Sequence, residues 1–306
     1  MKNIILSVVL LCTTISSFSQ CACCAGAGIG TTNGDYNNGM LTLPKKRWVL
    51  ETYSDYRTIK NGNAPETDEK LLTSMLINSI GVRYGITKNL TIVALLPYVS
   101  LYTNNGSDNG LGDLILLGTF SLYQKNNLNI ALQAGIELPT GVQKDSNFDN
   151  STIVVGSGSY DPMIGLLVSK KWDKLTVNGN VLYKKTTTGF EHNYYGSLST
   201  QSLSISYKIK GETAICAMDA KESKSATYWG LTTNLGYNGE WLDKIKEDGI
   251  EDENSGHYLG LANVGTSISY RKWAFPISFS QPIISKMNGI QNNFGPRFRI
   301  GIIKSF

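Results

Sequence analysis

The chain has 306 residues and a net charge of +4, with 41% hydrophobic and 17% charged residues. So small a positive balance argues against a nucleic-acid partner, and the charged share falls below the quarter or so usual in soluble domains. Sixteen tyrosines and 31 glycines suit strands, tight turns and membrane–water interfaces.

Residues 1–20 read as a cleaved export leader. Lys2 supplies its positive end, and Ile4–Leu11 is an apolar run too short to cross a bilayer. Small and polar residues follow at 16–20, with the cut placed after Gln20. A lipoprotein cut before Cys21 is the rival, although Gln20 is larger than the small residue such a site takes. Export implies a compartment where disulfides persist. After the leader no run of eighteen apolar residues occurs, which excludes helical membrane spans.

Residues 21–46 form an N-terminal segment that opens with Cys21, Cys23 and Cys24. From residue 47 the pattern is alternation. Strands are predicted at 47–57, 71–84, 90–102, 112–124, 128–140, 160–170, 174–185, 198–209, 227–240, 257–270, 273–284 and 295–306. Leu128, Ile130, Leu132, Ala134, Ile136 and Leu138 share one face, against Asn129, Gln133 and Glu137 on the other. Leu203, Ile205, Tyr207 and Ile209 oppose Ser202, Ser204, Ser206 and Lys208. This is the period of a pleated strand with two different surroundings. Each segment runs to roughly ten residues, the length of a tilted bilayer-crossing strand.

The connections alternate in length. Those at 85–89, 125–127, 171–173 and 271–272 are short; those at 58–70, 103–111, 141–159, 186–197 and 241–256 are long and polar. Short turns on one side and long loops on the other is the outer-membrane barrel pattern. The connection 210–226 departs from it, being long where a short turn is due. Ten of the aromatic residues, among them Tyr98, Trp172, Tyr183, Trp229 and Trp273, fall near strand ends, where interfacial girdles sit. The reading is therefore an all-β fold: a transmembrane antiparallel up-and-down barrel of about twelve strands over 47–306, in a Gram-negative-type outer membrane with both termini periplasmic. In the last strand Phe298, Ile300, Ile302 and Phe306 line one face and Arg297 and Arg299 the other. An apolar terminal strand ending in an aromatic is the expected signal to the barrel-assembly machinery. A soluble β-sandwich also alternates, but it accounts for neither the loop parity nor the aromatic placement.

Three short motifs stand out: Gly110-Leu111-Gly112-Asp113, Glu137-Leu138-Pro139-Thr140-Gly141, and Gly156-Ser157-Gly158-Ser159-Tyr160-Asp161. In this order and spacing they resemble the outer-membrane family named "Putative MetA-pathway of phenol degradation", most strongly over 80–185. The resemblance implies a transporter-like barrel for hydrophobic or aromatic compounds. Physically, Asp113, Glu137 and Asp161 are expected on the lumen side of strands four to six near the outer mouth, with Lys184 on strand seven at a similar height. They read either as a charged constriction or as an ion-paired lattice that braces the wall and holds loops. The loop 141–159 is the best candidate for folding inward.

The parity of the connections places Cys216, within 210–226, on the same side as Cys21, Cys23 and Cys24. One disulfide to the N-terminal group and a thiolate site for zinc or Cu(I) are both open readings. No cofactor motif appears, and the metal question stays with the cysteines. His192 is expected in an outer loop and His257 at an outer strand start, both as exposed residues without the neighbours of a hydrolase triad. The functional expectation is a non-enzymatic channel for a small solute, hydrophobic or aromatic in character, with outer-membrane lipid around it. The alternative is a non-conducting barrel that serves as a surface scaffold or adhesin. The oligomeric state is left open.

Overall fold

The computed structural model describes residues 41–60, 72–104, 106–145, 152–211 and 229–306, with side chains placed outside 143–154. The expected leader, the cysteines 21, 23, 24 and 216, and most of the connection 210–226 lie outside the described residues.

Twelve antiparallel strands form the wall. They are β1 (Trp48–Lys60), β2 (Leu72–Thr87), β3 (Leu90–Thr103), β4 (Leu114–Lys125), β5 (Leu128–Leu138), β6 (Asp161–Trp172), β7 (Leu175–Lys184), β8 (Leu198–Lys210), β9 (Trp229–Leu242), β10 (His257–Tyr270), β11 (Trp273–Met287) and β12 (Asn293–Ser305). Each pairs with its neighbour in sequence, and β12 pairs back onto β1 from Val49–Ser305 to Lys60–Asn293, so the sheet closes. Closure is what hydrocarbon demands, since an open edge would leave backbone N–H and C=O groups unpaired at several kcal/mol each.

The side chains sort as the alternation requires. Outward faces are apolar: Leu203, Ile205 and Tyr207 on β8, and Phe298, Ile300 and Ile302 on β12, are all exposed. Inward neighbours are polar and buried, such as Ser204 and Ser206 on β8. Aromatic rings crowd the short-turn rim, where Trp48 stacks on Tyr84 and the Lys304 ammonium lies 4.8 Å from the Trp273 ring. That contact accounts for the one lysine on the outward face of β12, whose charge reaches the interface while its stem stays apolar. Asn126 and Asn127 both take left-handed backbone angles, the requirement of a two-residue type I′ hairpin and a reason for Asn at both positions.

The strands differ from expectation at a few ends. The segment expected as a loop at 103–111 holds a further strand, Gly106–Leu111, that pairs with the outer half of β3. It extends β4 beyond a break at Gly112-Asp113. Alternation failed to show it because Gly106-Ser107-Asp108-Asn109-Gly110 has no apolar face. β2 and β11 run three residues past their predicted ends. Pro276, Pro282 and Pro296 withhold N–H donors along the β11–β12 seam, whose ladder stops at Ser280–Arg297.

Residues 42 and 43, just ahead of β1, are bonded to the barrel. The Leu43 N–H donates to Thr91 Oγ1 on β3 (2.7 Å), Thr42 Oγ1 donates to the Lys88 carbonyl (3.0 Å), and Leu43 packs with Val49, Ala274 and Ile303. Residues 42–44 therefore bridge an arc of the short-turn mouth from β11 round to β3. A Cβ at position 85 would fall 2.1 Å from the Pro44 carbonyl oxygen, so this approach requires glycine there.

Candidate functional site

The site is the lumen, and its walls differ. One arc, β2 to β7, carries aliphatic clusters inside, set among polar residues such as Thr119, Gln133, Glu137, Asp161 and Thr176. Val93, Ile115, Leu117, Met163 and Leu182 form one buried cluster, and Met75, Ile77, Val99 and Val155 form a second toward the long-loop rim. Here inward positions that a porin fills with polar groups carry branched aliphatic chains. The arc β8 to β10 is lined with hydroxyls and amides: Thr200, Ser204, Ser206, Thr232, Asn234, Asn263 and Ser267 are buried and inward.

Charge concentrates where β12 meets β1. Arg83 Nε donates to Glu51 Oε1 (3.1 Å). Farther from the short-turn rim, Arg57 Nη2 (3.0 Å) and Arg299 Nη2 (2.7 Å) both donate to Asp55 Oδ2. Beyond these, Arg297 makes two parallel bonds to Glu240, at 2.6 and 2.9 Å. Arg297 is on β12 and Glu240 on β9, with β10 and β11 between them in the wall, so this pair crosses a chord of the lumen. Paired fork geometry of this kind is the strongest form of ion pair. The ladder was partly visible in the arginines of the last strand; Glu51, Asp55 and Arg57 were missed, although they alternate with Trp48, Leu50 and Tyr56.

The four residues singled out from sequence meet at the long-loop rim. Lys184 Nζ lies 3.2 Å from Glu137 Oε1 and 3.8 Å from Asp161 Oδ2, and its side chain is only 3% exposed. Asp161 Oδ1 also accepts from the Thr187 N–H (2.8 Å). Asp113 stands in the break above β4 and accepts three bonds: from the Gly141 N–H (2.8 Å), the Ser157 N–H (2.6 Å) and the Ser157 hydroxyl (2.7 Å). These bonds draw the ends of the 141–159 loop inward, so that Val155 joins the lumen cluster. Gly141 and Gly156 touch backbone to backbone, and a Cβ on either would lie within 2.5 Å of the other's Cα. Asp113, Gly141, Gly156 and Ser157 of the motifs thus form one loop clasp, while Glu137 and Asp161 pair with Lys184.

His192 is exposed, as expected. His257 is not: it starts β10, is buried, and packs with its ring tilted against Phe294 of β12, the centroids 4.9 Å apart. Among the described residues no group of three or more His, Cys, Asp or Glu is arranged to hold a metal.

A closed twelve-stranded wall with an apolar exterior and a polar or charged interior defines an outer-membrane β-barrel of the channel type. The sequence model of the family "Putative MetA-pathway of phenol degradation" matches residues 67–271, two-thirds of the chain, and the chain belongs to that family. In fold it is similar to the COG4313 outer membrane channel from Pseudomonas putida F1, at 16% identity and a TM-score of 0.61, over 87% of this chain and 97% of that one. Weaker likenesses include the KdgM porin (11% identity, TM-score 0.45, 84% and 99% covered) and the CymD monoaromatic hydrocarbon channel (10%, 0.43, 92% and 93%). No curated protein matches in sequence.

Proposed function

We propose that this barrel passes a small solute with a hydrophobic or aromatic body across the outer membrane. The observation that carries the reading is the mixed lining: aliphatic clusters on β2, β3, β4, β6 and β7 share the lumen with hydroxyls, amides and ion pairs. Aliphatic side chains at inward positions suit a solute with an apolar body, while the polar residues beside them suit its polar group. Membership in a family named for phenol degradation and the likeness to an outer membrane channel support the same reading.

In this reading the short turns and both termini face the periplasm, the long loops face outward, and lipid surrounds the apolar band. Phe298, Ile300, Ile302 and Phe306 present the strand read by the assembly machinery. Asp113, Glu137, Asp161 and Lys184 brace the outer mouth and fix its width. We assign the chain no catalytic role. Planar-bilayer recording tests passage: steady unitary currents are expected. Cells carrying the gene are expected to take up labelled small aromatics faster than cells without it.

One observation favours the second reading, a barrel that conducts nothing and displays its outer loops. Residues 42–44 lie across part of the short-turn mouth, and Gly141 and Ser157 are tied to Asp113 at the other. Absence of unitary currents, together with unchanged uptake, would select it.

A further inference from the structure

The net charge of +4 conceals a division along the chain. The short turns and the segments that continue from their rim, 21–47, 85–89, 125–127, 170–174, 208–228, 271–272 and 304–306, carry fifteen Lys and Arg and five Asp and Glu. The rest of the chain from residue 48 on carries twelve and nineteen. The first count already includes every acid of 21–40 and 212–228, which lie outside the described residues. Five carboxylates neutralise at most five of the fifteen cations, whichever pairs they form. The short-turn side is therefore strongly basic and the remainder acidic.

At this rim the cations lie against outward rings. Lys210 Nζ is 4.5 Å from the Trp229 ring, and Lys304 Nζ is 4.8 Å from both Trp273 and Phe306. Lys170 Nζ is 5.6 Å from Trp172, and the Arg271 guanidinium 5.4 Å from Tyr270. All five rings are exposed. Trp229 pairs with Tyr270, Tyr270 with Trp273 and Trp273 with Lys304, so the strip is continuous across β9 to β12. The Lys208 N–H donates to the Lys174 carbonyl (2.8 Å), which carries the basic rim on from β8 to β7. Rings at the edge of an apolar band sit at the headgroup level, and a lysine laid on such a ring brings its ammonium to the lipid phosphates.

We infer that the short-turn rim is a binding surface for anionic phospholipid in the leaflet that it meets. The lipid phosphate takes the ammonium groups, and the rings cover the upper part of the acyl chains. A zwitterionic lipid brings its own cation to the same place, whereas an anionic headgroup keeps its net charge for the rim. The seating of the cations on sideways-facing rings favours lipid over a soluble acidic partner, which would meet the tips of the turns. The inference needs only the lipid-facing band and is independent of passage.

Tryptophan quenching by brominated lipids in liposomes tests this on the full-length mature barrel. Four of the five tryptophans, Trp48, Trp172, Trp229 and Trp273, lie at the short-turn rim, so in a Trp241→Phe background all tryptophan emission comes from there. At low salt, brominated phosphatidylglycerol is expected to be held at the rim with about fivefold preference over brominated phosphatidylcholine, and the preference should shrink as salt is raised. Replacing Lys174, Lys210 and Lys304 together by Gln is expected to remove most of it. Replacing Lys185, Lys246 and Lys286 by Gln takes the same charge from the long-loop side and should leave it unchanged. Heat-modifiable gel mobility shows that each variant folds. Equal quenching by the two lipids, a preference that the first triple variant keeps, or the same loss in both triple variants overturns the site. Unitary currents read passage separately, so the channel can stand while the lipid site falls.

Discussion

The Asp113 clasp permits a quantitative prediction through Asp113→Asn. The carboxylate takes the Gly141 N–H on one oxygen and both Ser157 donors on the other. Asparagine offers one oxygen and an NH2 of nearly the same shape. Whichever way the amide turns, an N–H then faces an N–H or O–H. The loss of one charge-assisted bond and the orphaning of a buried donor together cost about 2–4 kcal/mol. The wall ladder is untouched, so the cost falls on attachment of the 141–157 segment. A tenfold change for every 1.4 kcal/mol then makes amide exchange at Gly141 and Ser157 faster by about 30- to 700-fold. Hydrogen exchange with mass spectrometry on the detergent-folded barrel measures it, with amides of β8 and β9 as internal controls. A change below threefold at those two amides, with the protein folded, would falsify the claim that Asp113 holds the loop.

Three further outcomes follow from other parts of the structure. Lys184→Met strands Glu137 and Asp161 in a site that excludes water, at about 3–5 kcal/mol; the urea midpoint of the mobility shift should fall, and adding Glu137→Gln should restore part of it. Gly85→Ala drives a Cβ into the Pro44 carbonyl, so the 42–44 segment should detach and unitary conductance rise; an unchanged conductance with the Leu43 amide still protected contradicts the bridging role. Ile300→Lys puts a charge on the outward face of β12, at roughly 2–4 kcal/mol if the position lies at mid-depth, and should reduce the folded fraction in liposomes; wild-type folding there would mean that this face does not meet lipid.

How much could be read in advance depended on the range of the interaction concerned. β8 and β12 were legible because a strand between lipid and lumen must alternate at every step, and the residues themselves record it. The Asn126-Asn127 turn was legible for the same local reason. Asp113, Glu137, Asp161 and Lys184 could be placed on strands at one height by counting residues. Their division of labour could not, since Lys184 reaches Glu137 past β6, and Asp113 binds residues 28 and 44 positions away. His257 was misjudged because its burial comes from Phe294, on a strand that alternation aligns with β11 and β1 but not with β10.

The sequence by itself determined that the wall is a closed transmembrane sheet, how many strands it has and which face of each meets lipid, because a two-residue period is a local constraint. Only the tertiary structure decided what the lumen is. Curving twelve strands into a ring sets Arg297 against Glu240 and gathers aliphatic residues of β3, β4, β6 and β7 into one cluster. Which inward side chains face one another depends on stagger and closure, and those are properties of the whole ring.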